Sequence, residues 1–553
     1  MKTRFRALIV SSLFLLMAAC GGGSDSVSQD TIEPVVTPAP PAPKNYSIRV
    51  FEQASNMVHA CNVPTTSSEL ENSFVEISEQ VGLGFSHQMP NGDNLFGQSG
   101  GVGAGDYNND GWVDLYAIGG DGRPSLLLTN SRDGTFVDTA VQAGLDLVGK
   151  GSGPSFADIN GDGLLDLFVG NVDDGVPKLF LNAGEDGFVD ITEQSGLELP
   201  GNNISAAWGD FDQDNDMDLL LAHWSLEASE SNRYLWRNNG DLTFTNVSDQ
   251  TNLFWDSNGD LSFAPGFADI NSDGLQDVLF VADGGTSKVF LNQSNGVFAD
   301  ITTEQISDRS GMGSAIADYD NDGDLDWFVS SISRGSQDTK RIFGNRLYEN
   351  QGDGDFIDVT SSAGVREGHW GWGSCFDDFN NDGNLDVFHV NGFYGQSNFL
   401  LVDPSKLFIS NGDRSFTERS LEFGIDDTGM GRGIVCFDYD RDGDQDIFVA
   451  NHDQPARLYC NYGNQNTFIN IRLEGESPNT QALGARVYVT VGDVQQMREL
   501  NANSNYVSQN PVEAHFGLGS ASNIDEVRIV WPGGAESIIE NVDVDQFLII
   551  KKI

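Results

Sequence analysis

Asp158-Ile159-Asn160-Gly161-Asp162-Gly163-Leu164-Leu165-Asp166 is one of seven copies of a single pattern, Asp-x-(Asp/Asn)-x-Asp-(Gly/Asn)-x-x-Asp. The copies open at Asp106, Asp158, Asp210, Asp269, Asp318, Asp378 and Asp438, at intervals of 52, 52, 59, 49, 60 and 60 residues. A loop returning at this period implies a repeat architecture, in which each unit needs neighbours to bury its apolar surface. Side chains at positions 1, 3, 5 and 9 of a tight loop converge on one point, and the position-7 carbonyl adds a further oxygen. The glycine at position 6 supplies a backbone angle that most residues resist. This is the logic of the EF-hand loop, but here the flanks are strands. Oxygen-only donors favour Ca²⁺ over Zn²⁺ or copper.

The expected ligand sets are Asp106, Asn108, Asp110 and Asp114; Asp158, Asn160, Asp162 and Asp166; Asp210, Asp212, Asp214 and Asp218; Asp269, Asn271, Asp273 and Asp277; Asp318, Asp320, Asp322 and Asp326; Asp378, Asn380, Asp382 and Asp386; Asp438, Asp440, Asp442 and Asp446. The loops opening at Asp210, Asp318 and Asp438 carry four carboxylates and should bind most tightly; Asn215 replaces the glycine in the first of these and tolerates the same conformation. Asx turns alone would explain one such loop. Seven copies sharing four positions point instead to as many as seven structural Ca²⁺ ions. Since each loop supplies its own ligands, no nucleophile, base or phosphate cradle is evident.

Around each loop the chain reads as four short strands. A small-residue strand precedes it, as in Gly311 to Ala317. An apolar strand follows it, as in Leu167-Phe168-Val169. A third ends in Asn, as in Leu179-Phe180-Leu181-Asn182, and a fourth is led by Phe, as in Phe188-Val189-Asp190. Four strands per unit describe a propeller blade, and the small residues suit the crowded channel. Phe74-Val75-Glu76 resembles the fourth strand but has no loop before it, so it is expected to complete the last blade and close the ring. The expected fold is all-β: a seven-bladed β-propeller over residues 71–465 and a small β domain over 466–553, with strands near 467–473, 485–489 and 527–531.

The chain of 553 residues has 82 acidic and 30 basic side chains, a net charge of −52. Such a surface excludes nucleic acid as partner and disfavours adsorption to anionic lipid. Lys2, Arg4 and Arg6 followed by apolar Ala7 to Leu16 form a signal peptide over residues 1–19. Met17-Ala18-Ala19-Cys20 resembles a bacterial lipobox, which implies acylation of Cys20 and membrane attachment through that lipid alone. Gly21 after the cysteine implies the outer membrane or cell surface; the periplasm or secretion is the alternative. Residues 20–70 read as a lipidated, Gly- and Pro-rich tether. Cys375 and Cys436, each just before a loop on a strand expected to be buried, read as plain thiols, and a Cys61–Cys460 bridge stays open.

The loops and their flanking strands resemble FG-GAP/VCBS repeats of the integrin α type. Leu483-Gly484-Ala485-Arg486-Val487, Asn505-Tyr506-Val507-Ser508-Gln509, His515-Phe516-Gly517-Leu518-Gly519 and Val530-Trp531-Pro532-Gly533-Gly534 are similar to the ASPIC/UnbV domain. The pairing resembles the cartilage acidic protein family, which implies an extracellular, calcium-binding protein without assigned catalytic residues. His369, Trp370 and Trp372 are candidates for a ligand-binding channel mouth. Asn171, His223, Asn391, Asn451 and His452 should share one face of the ring, and Arg528 and Trp531 are candidates for a recognition patch; packing is the plainer role for all of these. The function expected is a binding or adhesion module for a protein or polysaccharide. The alternative is a surface glycan hydrolase or lyase acting from the propeller face.

Overall fold

The computed structural model describes residues 45–51, 73–88, 97, 99–173, 175–198, 200–225, 234–253, 260–294, 296–333, 343–393, 402–463 and 465–553. The expected signal peptide, Cys20, Cys61 and the Pro-rich part of the expected tether lie outside the described residues. Among the described residues no helix is long and apolar enough to cross a membrane.

Each repeat folds into a four-stranded antiparallel unit, those of the third and fourth blades being joined through Asp218–Ser225 and Asp260–Ala268 into one eight-stranded sheet. In the first, Val102–Gly105, Asp114–Ala117, Leu126–Asn130 and Phe136–Asp138 pair in that order, and the acidic loop is the turn between the first two. The second strand of every blade is covered on both faces by neighbouring sheets. It is therefore apolar without alternation, as in the buried Leu167, Phe168 and Val169. Seven innermost strands, beginning at Val102, Gly151, Asn203, Asp260, Gly311, Gly371 and Gly431, pack each on the next, and the last returns to the first. The ring closes on strand Phe74–Glu76, which pairs with Arg457–Asn461 as the outer strand of the seventh blade. Phe74 is buried against Phe379, with ring centroids 5.7 Å apart.

The C-terminal residues form two four-stranded sheets. One holds Val494–Glu499, Arg486–Val491, Ile524–Val530 and Glu536–Val542. The other holds Thr467–Glu474, Ala514–Gly519, Gln546–Lys552 and, from the other end of the chain, Tyr46–Val50. Ile471, Val487, Phe516, Val527 and Trp531 lie in their common core. This corrects the tether reading: Tyr46–Val50 is a strand, paired antiparallel with Gln546–Lys552 (Ile48 opposite Ile550). The signal is weak in sequence because four of its five residues are exposed and only Tyr46 is buried.

Between Glu499 and Ala514 the chain leaves these sheets and enters the axis of the ring, where it bonds to the innermost strand of every blade. Gln509 N and O pair with Val102 O and Ala104 N, both at 3.1 Å. The Gln509 side chain takes both backbone groups of Phe156, at 2.7 and 2.9 Å. Ala502 O accepts from Trp208 N, and the Asn503 amide takes both backbone groups of Phe267. Asn505 O accepts from Ser314 N and Ser374 N, and Asn505 Nδ2 donates to Ile434 O at 3.0 Å. Asn510 Oδ1 accepts from Cys436 N at 3.1 Å. The small residues of the channel answer to this plug: a Cβ on Gly101 (φ +104°) would lie 1.7 Å from Val507 O.

Cys375 and Cys436 are joined by a disulfide. This overturns the reading of plain thiols. Their strands are the innermost of blades six and seven, which the curvature of the ring sets side by side, with the Cα atoms 6.7 Å apart. Cys460 is also disulfide-bonded.

Gln509→Ala would leave a buried N–H and C=O of Phe156 unpaired, which costs about 1–3 kcal/mol per group. A fall in the urea midpoint corresponding to roughly 2 kcal/mol or more is expected. An unchanged midpoint would show that the plug does not stabilise the ring.

Candidate metal loops

All seven loops share one backbone geometry. Position 6 is left-handed throughout, from +69° at Asn215 to +96° at Gly323. Position 4 is left-handed too, at Asn109, Gly161, Gln213, Ser272, Asn321, Asn381 and Arg441. The sequence reading found the first and missed the second, although Asn or Gly at four of these seven positions was the available signal.

Backbone amides hold the acidic side chains in place. In the loop opening at Asp158, Oδ1 of Asp158 accepts from Asp162 N (3.2 Å) and Oδ2 from Gly163 N (2.7 Å). Asn160 Oδ1 accepts from Asp162 N, and Asp162 Oδ1 from Leu164 N. Asp166 accepts from Ile159 N and Asn182 N. The first and last of these bonds recur round the ring: position 1 receives the N–H of position 6 at 3.0 Å in Asp210 and Asp438 and 2.7 Å in Asp378. The Asx-turn chemistry is therefore present, and its geometry converges the ligand positions.

The loops also bond to one another. Position-4 side chains donate to the position-6 carbonyl of the next loop: Asn109 to Gly163, Gln213 to Gly274, Asn321 to Gly383, Asn381 to Gly443, and Arg441 back to Gly111. The Asn ending each third strand ties its blade to the preceding loop, as Asn182 Nδ2 does to Tyr107 O (2.9 Å) and Asn130 Nδ2 to Tyr439 O (2.9 Å). Blade six has Ser410 at that place.

The donor set fits a hard divalent cation. In Asp210–Asp212–Asp218, Asp318–Asp320–Asp326 and Asp438–Asp440–Asp446, one oxygen of each carboxylate lies within 4.8 Å of the others. These are the three loops with Asp at position 3. In the other four that position is Asn108, Asn160, Asn271 or Asn380, an amide oxygen with no charge. Neither oxygen of Asp320 has a hydrogen-bond donor, and the Arg414 guanidinium meets it as an ion pair at 3.0 Å. Burial, reinforced by neighbouring carboxylates, raises the position-9 groups: Asp166 and Asp277 to about 8, Asp326 to about 9, and Asp114, Asp218, Asp386 and Asp446 well above the carboxylate range.

The C-terminal domain sits on this face of the ring. In four loops the outer oxygen of position 1 meets one of its side chains: Arg472 on Asp106 (2.6 Å), Thr480 on Asp158, Arg486 on Asp269 (3.5 Å) and Asn470 on Asp438 (3.0 Å). His515 bonds Asn381 in the sixth loop, and the buried Arg498 feels Asp318 and Asp378.

Residues 106–169, 158–221, 269–329 and 332–389 match the FG-GAP-like repeat, and residues 475–553 match ASPIC and UnbV. The chain carries FG-GAP-like repeats and an ASPIC/UnbV domain. It is homologous to cartilage acidic protein 1 of Mus musculus, 27% identical over 294 residues, which covers 48% of this chain and 41% of that protein. The Homo sapiens protein is 25% identical over 252 residues, or 34% of this chain and 37% of that one. The chain thus spans about two fifths of the length of these curated relatives. Among solved structures it is similar to YCF48 from Cyanidioschyzon merolae (13% identity, 70% of this chain and 98% of that one, TM-score 0.39). It is also similar to the V. cholerae biofilm matrix protein Bap1 (11% identity, 84% and 70%, TM-score 0.29).

The remaining candidates lie away from the FG-GAP loops. Trp372 is buried at the channel, its Nε1 donating to Gly392 O at 2.7 Å. His369 meets Asp403, and His452 stacks on His87 at 4.5 Å. Asn391 Nδ2 bonds Pro404 O and Asn451 Nδ2 bonds Asp427. Asn171 ends the second strand of its blade and His223 lies near the end of its own, Asp218–Ser225, with His223 N bonded to Ser262 Oγ. In the ASPIC/UnbV domain Arg528 lies over the Tyr488 ring, and the buried Trp531 donates to Ser537 Oγ. That pair packs within its sheet.

A carboxyl raised by folding stabilises the fold fully below its unfolded value and loses that contribution as pH rises through its folded value. In chelator, the melting temperature is therefore expected to fall from pH 5 to pH 9, as Asp166, Asp277 and Asp326 ionise near 8 to 9. A scan that is flat or rising over that range would contradict the burial of these groups.

Proposed function

We propose that this chain is an extracytoplasmic calcium-binding propeller lipoprotein that serves as a binding or adhesion module. The observation that carries this reading is the occupancy of one face. The ASPIC/UnbV domain covers the loop face and plugs the channel from that side, so the opposite face is left for a protein or polysaccharide partner. Bound Ca²⁺ would supply positive charge where buried carboxylates crowd. Positions 1, 3, 5 and 9 of each loop would hold it, while the outer oxygen of position 1 stays engaged by Arg472, Thr480, Arg486 or Asn470 in four of the loops. Cation binding and docking of the ASPIC/UnbV domain therefore share the same carboxylates, so the two are thermodynamically linked. Cys20 would carry the lipid, and strand Tyr46–Val50 then joins the tether directly to the ASPIC/UnbV domain.

Titration of chelator-treated full-length protein with CaCl₂ is expected to give heat from up to seven sites, with Kd on the order of 10⁻⁴ to 10⁻³ M. The tightest should be those opening at Asp210, Asp318 and Asp438. At free calcium of ten times Kd each site would add about 1.4 kcal/mol, and amide exchange in residues 501–512 should slow. No heat, with a melting temperature indifferent to chelator, would remove calcium from the proposal.

A further inference from the structure

The face opposite the loops, where second strands end and innermost strands begin, carries an unbroken chain of aromatic rings across the channel. Trp224 lies on Phe263 (6.0 Å, interplanar 12°), Phe263 meets Trp372 (6.4 Å), Trp372 meets Phe393 (6.2 Å), and Phe393 lies flat on Trp370 (4.4 Å, 4°). Tyr506 of the plug supports the middle from within, 5.4 Å from Phe263 and 5.2 Å from Trp372. The inner rings are buried, while Trp224, Trp370 and Phe393 at the ends are half-buried.

The two end tryptophans share an anomaly. Trp224 Nε1 and Trp370 Nε1 are shielded from solvent and have no acceptor among the described residues. Trp208, Trp327, Trp372 and Trp531 all donate to a hydroxyl or carbonyl. Native structures seldom leave a buried donor unmatched, and an exception asks for an explanation. Asn391 Oδ1 and Asn451 Oδ1, at second-strand ends on the same face, are buried acceptors without a donor among the described residues. The charges beside the chain are engaged within the protein. Asp403 meets His369 and accepts from Trp370 N, and Arg432 stacks on Trp372 (4.0 Å) while donating to Gly97 O and Gly392 O.

We propose that this aromatic mouth binds a neutral saccharide chain. The chemistry left at the mouth is the half-exposed rings of Trp224, Trp370 and Phe393, indole donors and amide acceptors. A sugar ring complements all three: its C–H faces carry the positive edge that π faces attract, and its hydroxyls accept from indole and donate to amides. A polyanion would instead meet the field of a protein of net charge −52. This inference rests on the binding-module reading and gives it a face and a ligand class.

The test uses the full-length protein with calcium on an array of neutral and acidic glycans, followed by calorimetry with the best neutral glycan. Trp224→Phe and Trp370→Phe keep a ring in place and delete the N–H. Each is expected to weaken binding about tenfold with the melting temperature unchanged, whereas Arg528→Ala leaves affinity as it was. Trp370→Ala should abolish binding. A neutral glycan held equally by both Phe variants and by Trp370→Ala overturns the assignment of the mouth but leaves the module reading intact. Binding of acidic glycans only, or of a purified protein ligand with no glycan, overturns the saccharide and likewise leaves the module. Binding of neither kind of ligand overturns both.

Discussion

One peptide segment, residues 501–512, satisfies backbone groups in all seven innermost strands. A propeller ring has a structural difficulty at its axis. Innermost strands have their outer side paired within their own blade, but toward the channel they present N–H and C=O groups with nothing opposite. Water fills such a channel in an open ring. Here the plug supplies the partners in protein form, through Ala502, Asn503, Asn505, Ser508, Gln509 and Asn510. The choice of side chains follows. Asn and Gln each offer both a donor and an acceptor, so Asn503 and Gln509 clamp the N–H and C=O of one residue in another strand, as a neighbouring strand would. Tyr506 and Val507, fully buried, fill the space that remains. Gly101 and its neighbours are small because the plug is there.

Three further devices hold the ring in register, and they act at different radii. At the centre, the Cys375–Cys436 disulfide joins the innermost strands of blades six and seven. At the loop face, position-4 side chains bridge five of the seven successive loop pairs, and the bond from Arg441 to Gly111 spans the seam between the last blade and the first. At the periphery, Phe74–Glu76 completes the seventh sheet. The seam is thus secured at the loop face and at the periphery, where the chain is not continuous, while the disulfide ties the seventh blade to the sixth. Arg441 is itself buried, paired with Glu513 of the C-terminal domain at 2.6 Å. A single residue therefore joins loop network and docked domain.

Much of this was legible in the residues. The loop period fixed the blades, and the position of Phe74 without a preceding loop gave the closure, because both depend on local pattern. The plug was not legible, although Asn505 to Gln509 stood out as a motif. Its partners lie at sequence separations such as 406 for Ser508 and Val102, and no local periodicity reports a contact of that kind. The strand Tyr46–Val50 failed for the complementary reason: an exposed edge strand has no apolar alternation to announce it. The disulfide was missed because buried cysteines on two strands carry no register between them until the ring is curved. The left-handed position 4 was partly hidden by Gln213, Ser272 and Arg441, which adopt that angle against their intrinsic preference because the loop network holds them there.

The acidic loops then have a consequence for how the two halves of the molecule depend on each other. A carboxylate has two oxygens, and at position 1 both accept backbone N–H groups, yet the outer one also receives a side chain of the C-terminal domain in four loops. Those contacts differ in charge. Arg472 and Arg486 address loops with three carboxylates, whereas the neutral Asn470 addresses one with four. At the loops opening at Asp106 and Asp269 the domain brings a guanidinium, at Asp158 the Thr480 hydroxyl, and at the four-carboxylate loop opening at Asp438 the Asn470 amide. The domain thus touches position 1 in loops of both charge classes, while at the four-carboxylate loop opening at Asp318 the counter-charge comes from Arg414, which pairs with Asp320 and Asp322.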